Sequence, residues 1–157
     1  MDTNIFVYSR DSSHPDKQLV AARWIDVLWS TRLGRTSTQV LSEYYTTITR
    51  KLAPGLPTAQ ARADVEDLSA WKPLGVDAGL IRSGWSIEDR FGFSWWDSLV
   101  VAAAEQMGCA YLLTEDLSDG QDLDGTTVVD PVPARAHRHP WLSRVAGTPS
   151  RWHRSSR

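Results

Sequence analysis

Residues 94–116 read SWWDSLVVAAAEQMGCAYLLTED, and this stretch decides the fold. Ser94 opens a helix, and Asp97 three residues on gives the capping-box spacing, with an acid in the first turn where the helix dipole favours it. Leu99–Ala104 runs apolar without a break, and Gly108 closes the helix as the residue just past its last turn. CAYLLT follows, apolar enough to be a strand buried on both faces, as in parallel sheets. Asp116 comes directly after that strand. The expected class is therefore α/β, with an acid at a helix start and another at a strand end.

Working outward, the rest of the chain alternates in the same way. Residues 3–8 (TNIFVY) read as a short strand or strand end, and DSSHPD as a loop. A helix is expected from Pro15 to Ser30, with Pro tolerated in its first turn and a broad apolar face of Leu19, Ala22, Trp24, Ile25, Leu28 and Trp29. Thr36 and Gln39 form a second capping-box pattern ahead of Val40, Tyr44, Ile48 and Leu52, a stripe at every fourth residue, and APGLP ends that helix. Thr58 caps the next helix, WKPLGV reads as a short strand, Asp77 caps DAGLIRSGWSIEDRF, and TTVVDP is the last strand. The expected architecture is a sandwich with a central, mainly parallel sheet flanked by helices.

Composition narrows the function. At 157 residues the chain suits one domain, and eight Trp require several to be buried. The single cysteine, Cys109, excludes an internal disulfide and a cysteine-based zinc site, in keeping with a reducing, cytoplasmic setting. No signal peptide is visible, and the longest apolar run is far too short to span a membrane. The net charge of −2 conceals a division. Residues 134–157 carry six Arg and no acid and read as a basic, flexible tail behind a domain of residues 1–133. The remainder has 11 basic and 19 acidic side chains, a formal −8. An acidic body is not the usual footprint of a tight nucleic-acid binder. It does suit a nuclease whose acids are metal ligands, because a bound cation inverts the local charge.

Four acids occupy positions where α/β sheets place ligands: Asp2 ahead of the first element, Glu43 on the second helix, Asp97 and Asp116. Carboxylates that converge repel each other unless a cation sits among them, and an all-oxygen set suits Mg²⁺ or Mn²⁺. Such a centre hydrolyses phosphodiesters without a side-chain nucleophile. Each acid also has a plainer reading: Asp97 as a helix cap, Glu43 as a solvated helix acid, Asp2 as a surface acid, Asp116 and Asp119 as turn formers. DLSDGQDLDGTT departs from the calcium-loop pattern and reads as an acidic turn. Trp95, beside Asp97, is expected to pack in the core, with stacking on a base as the alternative. Asp2-Thr3-Asn4 lacks the second acid that an aspartyl phosphatase needs. A module of the same fold that binds RNA or a protein without cutting stays open as an alternative to a nuclease.

Four stretches in order, DTNIFVY (2–8), STQVLSEYY (37–45), FSWWDSLVVAAAEQMGC (93–109) and LLTEDLSDG (112–120), resemble the PIN domains, specifically the VapC-type toxins of bacterial toxin–antitoxin pairs. The resemblance covers roughly residues 2–132. It implies a PIN-like three-layer sandwich and an endoribonuclease using Mg²⁺ or Mn²⁺. It further implies RNA as substrate, a cognate antitoxin as partner, and a homodimer. By the same resemblance Asp2, Glu43, Asp97 and Asp116 are the metal-holding acids. Asn4 and Thr114 support them, and Asp119 is an extra or substitute acid. In one respect the chain departs from the family, which has a few apolar strand residues before the DTN acid where this sequence has only Met1. A shortened strand or a start further upstream is expected, with Asp2 fraying if its end is free.

Overall fold

The computed structural model describes residues 1–132, so the basic tail lies outside the described residues. Among these residues six helices precede three short strands, in place of the expected alternation, in an α/β fold: α1 (Thr3–Tyr8), α2 (Pro15–Thr31), α3 (Thr38–Arg50), α4 (Thr58–Ser69), α5 (Ala78–Phe91), α6 (Trp95–Gln106), β1 (Tyr111–Leu113), β2 (Asp122–Leu123) and β3 (Thr126–Val129). The sheet is small and mixed, in the order β1-β3-β2. β1 pairs with β3 in parallel, Leu112 opposite Val128, and β2 pairs with β3 antiparallel. The β2–β3 hairpin turns through Asp124 and Gly125, both at positive φ, with the Asp122 carboxylate accepting from Gly125 N at 2.9 Å. No described helix is long and apolar enough to cross a membrane.

Residues 3–8 form a helix, not the expected strand. Their β-branched composition favours extended chain, but two tertiary demands prevail. Asp2 caps the segment, its Oδ1 accepting from Thr3 N at 2.6 Å. Ile5 and Phe6 are almost completely buried, in two different apolar clusters. The extended backbone is confined to residues 1 and 2, which lie between two other segments. Met1 N donates to Arg35 O and Asp2 N to Leu113 O, both at 3.0 Å. Beyond Arg35, Ser37 bridges Leu74 in parallel. That single bridge is all that forms of the strand expected in WKPLGV. Asp2 is therefore held against the end of β1 and is not frayed.

Two caps differ from expectation. Ser37, not Thr36, caps α3, accepting from Val40 N, so Gln39 is released from the capping box and turns inward. Pro57 occupies the cap position of α4 and no side chain caps that helix, Thr58 being its first residue. Asp77 and Ser94 cap α5 and α6 as expected, and Gly108 follows α6 at φ +63°.

Successive strand residues enter different clusters, as the two-residue period of a strand requires. Leu112 and Val128 join the large core with Phe6, Tyr44, Ile48, Leu68, Leu80 and Leu99, whereas Leu113 and Val129 join Ile5, Ala21 and Trp24. Trp71 anchors the large core, with ring centroids 5.8 Å from Phe6 and 5.5 Å from Trp29. It packs so closely on Gly34 that a Cβ there would lie 2.6 Å from two indole carbons. A buried polar knot ties the segment after α1 to α3 and α4: Asp64 receives a two-pronged contact from Arg10, with Nε at 2.9 Å, and the Tyr44 hydroxyl at 2.6 Å. Burial beside Asp64 pushes the Tyr44 hydroxyl far up, so it stays a donor.

Candidate metal centre

The site forms where the start of the chain meets the end of β1. Asp2 arrives from its cap position, Asn4 from the first turn of α1, and Thr114 and Asp116 from the segment leaving β1. Thr114 is the hub. Its buried hydroxyl donates to Asp2 Oδ2 at 2.7 Å and accepts from Asp116 N at 3.2 Å and Asn4 Nδ2 at 3.3 Å. Asn4 Nδ2 also donates to Asp116 Oδ2 at 2.9 Å, while Asn4 Oδ1 is buried with no hydrogen-bond partner.

Asp97 joins from the first turn of α6. Ser94 Oγ donates to its Oδ2 at 2.6 Å and accepts from its backbone N at 3.2 Å. The capping role and the site role therefore coexist in one side chain. Carboxylate oxygens of Asp2, Asp97 and Asp116 lie within 4.8 Å of one another, with Asp2 buried, Asp97 half-buried and Asp116 exposed. Burial pushes the Asp2 carboxyl up to about 6, against its bonds from Thr114 and Thr3 and with a further push from Asp116. Asp116, although exposed as a residue, has a partly desolvated carboxyl that is raised as well, opposed by Asn4 and reinforced by the charges of Asp97 and Glu115. Three carboxylate oxygen donors at this spacing fit a hard divalent cation, whose charge would offset the cost of holding Asp2 and Asp116 ionised there.

Glu43 is not one of the three clustered acids. It lines the same cleft of about 550 Å³, its carboxylate held by Gln39 Nε2 at 2.9 Å and Thr3 Oγ1 at 3.3 Å. Asp119 stands apart, accepting from Asp130 N at 3.0 Å and so tying the loop after β1 to the end of β3. Trp95 packs toward α5, where a Cβ on Gly84 would approach its ring to 3.0 Å, and it is Trp96 that lines the cleft.

Sequence reasoning missed Glu115, which anchors a second group at the rim. Lys17 Nζ donates to Glu115 Oε2 and to the Tyr8 hydroxyl, both at 2.8 Å, and lies 4.1 Å above the Tyr8 ring, while Tyr8 O–H donates to Glu115 Oε1. The signal was present in the position of Glu115 between Thr114 and Asp116. Of the basic side chains nearby, Lys51 lines the cleft, whereas Arg90 is turned to Asp124 and Glu105.

An α/β domain that gathers carboxylates just past a strand end belongs to the class of proteins that bind at the carboxyl edge of a sheet. The PIN domain family model matches residues 1–118 of the 157, and the chain belongs to that family. PIN domains are typically nucleases and generally use a divalent metal. A search of curated proteins finds no match to the chain.

Proposed function

We propose that the protein is a metal-dependent endoribonuclease and the toxin of a type II toxin–antitoxin pair, acting in the cytoplasm on RNA as a homodimer restrained by a cognate antitoxin. The observation that carries the nuclease reading is the convergence of Asp2, Asp97 and Asp116 in a PIN domain, with Glu43 on the wall of the same cleft. The four-stretch resemblance to VapC-type toxins supports the toxin role, and the two apolar clusters sharing strand residues support a three-layer sandwich.

Asp2, Asp97 and Asp116 would hold Mg²⁺ or Mn²⁺, which when bound acidifies a water and offsets charge on the attacked phosphate. The chain's own contribution is orientation. Thr114 and Asn4 fix Asp2 and Asp116, and Ser94 fixes Asp97, so the carboxylates need no reorganisation on binding. Glu43, its rotamer fixed by Gln39 and Thr3, accepts the proton of the attacking water. Water adds to phosphorus, the bond to the leaving oxygen breaks, and no covalent enzyme intermediate forms.

The test is cleavage of total RNA by purified protein with Mn²⁺, beside the Asp97→Asn variant and an excess of EDTA. Wild type cuts at defined sites and arrests growth on induction, and the variant does neither. Full cleavage by Asp97→Asn or in EDTA would refute the metal centre. Tight RNA binding with no cleavage under any divalent ion would refute the nuclease reading.

A further inference from the structure

Two adjacent tryptophans open α6, and the helix sends them different ways. Trp95 packs on α5 at Gly84, as one wall of a conventional helix–helix contact. Trp96, about 100° further round the helix, is 57% exposed and lines the cleft that holds the acids. Its neighbour one turn on, Val100, lines the same cleft, and Val7 of α1 adds a further apolar side chain. The backbone under the indole is fixed, because Trp96 O accepts from the buried Gln39 Nε2 at 3.3 Å and the first turn is clamped by the Ser94–Asp97 box. A large aromatic surface is thus held in place beside three carboxylates and left uncovered.

Cleaving a phosphodiester calls for oxygen ligands and donors, not for an exposed indole. What an indole next to a phosphate-handling centre fits is the face of an unpaired nucleobase. Charge points the same way. The described residues carry 11 basic and 19 acidic side chains, so phosphate attraction supplies little of the affinity in this part of the protein. Stacking does not depend on charge. A base inside a duplex has both faces covered by its neighbours and cannot stack on Trp96.

We infer that Trp96 is a stacking platform for one unpaired base next to the scissile phosphate. This rests on the nuclease reading for the identity of the cleft, so its test uses binding and not cleavage. In the Asp97→Asn background with Mg²⁺ present, the affinity for a short, unstructured, fluorescein-labelled RNA is measured by anisotropy with Trp96 intact, Trp96→Ala and Trp96→Phe. Trp96→Ala is expected to weaken binding about tenfold or more, and Trp96→Phe to stay within about threefold of the parent. The residual affinity for a duplex of the same sequence is expected to be unchanged. Thermal melting confirms that the three forms are equally folded. The inference is overturned if Trp96→Ala binds the single strand within about twofold of the parent, or if single strand and duplex lose affinity alike. It is also overturned if RNA affinity holds while sedimentation shows the dimer dissociating, since Trp96 would then serve a protein contact. A wild-type protein that binds through Trp96 but never cleaves refutes the nuclease reading and leaves the platform standing.

Discussion

Replacing Asp2 by Asn and titrating stability in EDTA tests the electrostatics of the centre directly. Burial holds the Asp2 carboxyl at about 6, against 3.8 for the free group. Each pKa step of one is worth about 1.4 kcal/mol, so ionising Asp2 inside the metal-free fold costs about 3 kcal/mol. The folded state binds the proton more tightly than the unfolded chain, so stability falls as pH rises. The contribution is intact below about pH 3.8 and is lost as pH climbs through about 6, with about 2 kcal/mol of the loss between pH 4.5 and 7.5. Asn mimics the protonated acid at every pH, so the difference between wild type and Asp2→Asn isolates this one group. Urea unfolding of both proteins across that range should show wild type losing ground steadily. At the upper end Mg²⁺ or Mn²⁺ should restore wild type alone, by about 3 kcal/mol at a hundredfold excess over the dissociation constant. A difference that stays flat with pH, or grows in wild type's favour, would show that Asp2 is not strained, and the argument for a cation there would fail.

Three other outcomes follow from the geometry. Thr114→Val keeps the shape of a buried hub but removes a hydroxyl that serves Asp2, Asn4 and Asp116, so chemical denaturation should show a loss of about 1–3 kcal/mol and cleavage should drop with it. Gly34→Ala places a Cβ against the Trp71 indole, and calorimetry should show a lowered melting temperature from overpacking worth about 1–3 kcal/mol or more, with the metal response of the surviving folded protein intact. Lys51→Gln removes a cation from the cleft wall, and the slope of log affinity for RNA against log salt should flatten by about one, with little change in base preference.

The sequence made some of this legible and hid the rest for physical reasons. The α6–β1 run could be read because its signals are local: a serine cap, an apolar helix and a glycine stop all form, while the strand expected over CAYLLT shortens to Tyr111–Leu113 and leaves Tyr111 exposed. Residues 3–8 could not, because six residues with Ile and Val carry a strand's composition, and the helix depends on partners far away in the chain. The cap of α3 was misplaced by one residue for want of any local distinction between Thr36 and Ser37. Asp122–Thr127 was read only as an acidic turn, although Asp124-Gly125 is the dipeptide a tight hairpin prefers. At the site, three of the four acids lie together, while Glu43 stands off on the cleft wall, a difference set by the placement of α3 and not by any local pattern. Which of two neighbouring tryptophans faces the cleft depends on the rotation of α6 against α5, and no local pattern encodes that angle.

The Thr114 hydroxyl has a consequence in time as well as space. It joins residues 2 and 4 to residues 114 and 116, groups separated by more than a hundred positions along the chain. Loop closure over that span comes late, because its entropy must be met before the contacts offset it. A polypeptide still emerging from the ribosome holds Asp2 and Glu43 but has no centre until β1 and the segment behind it arrive. The gathering of the acids is therefore withheld until the domain is nearly complete, and any lesion that unpins the first residues from β1 scatters the cluster without touching an acid.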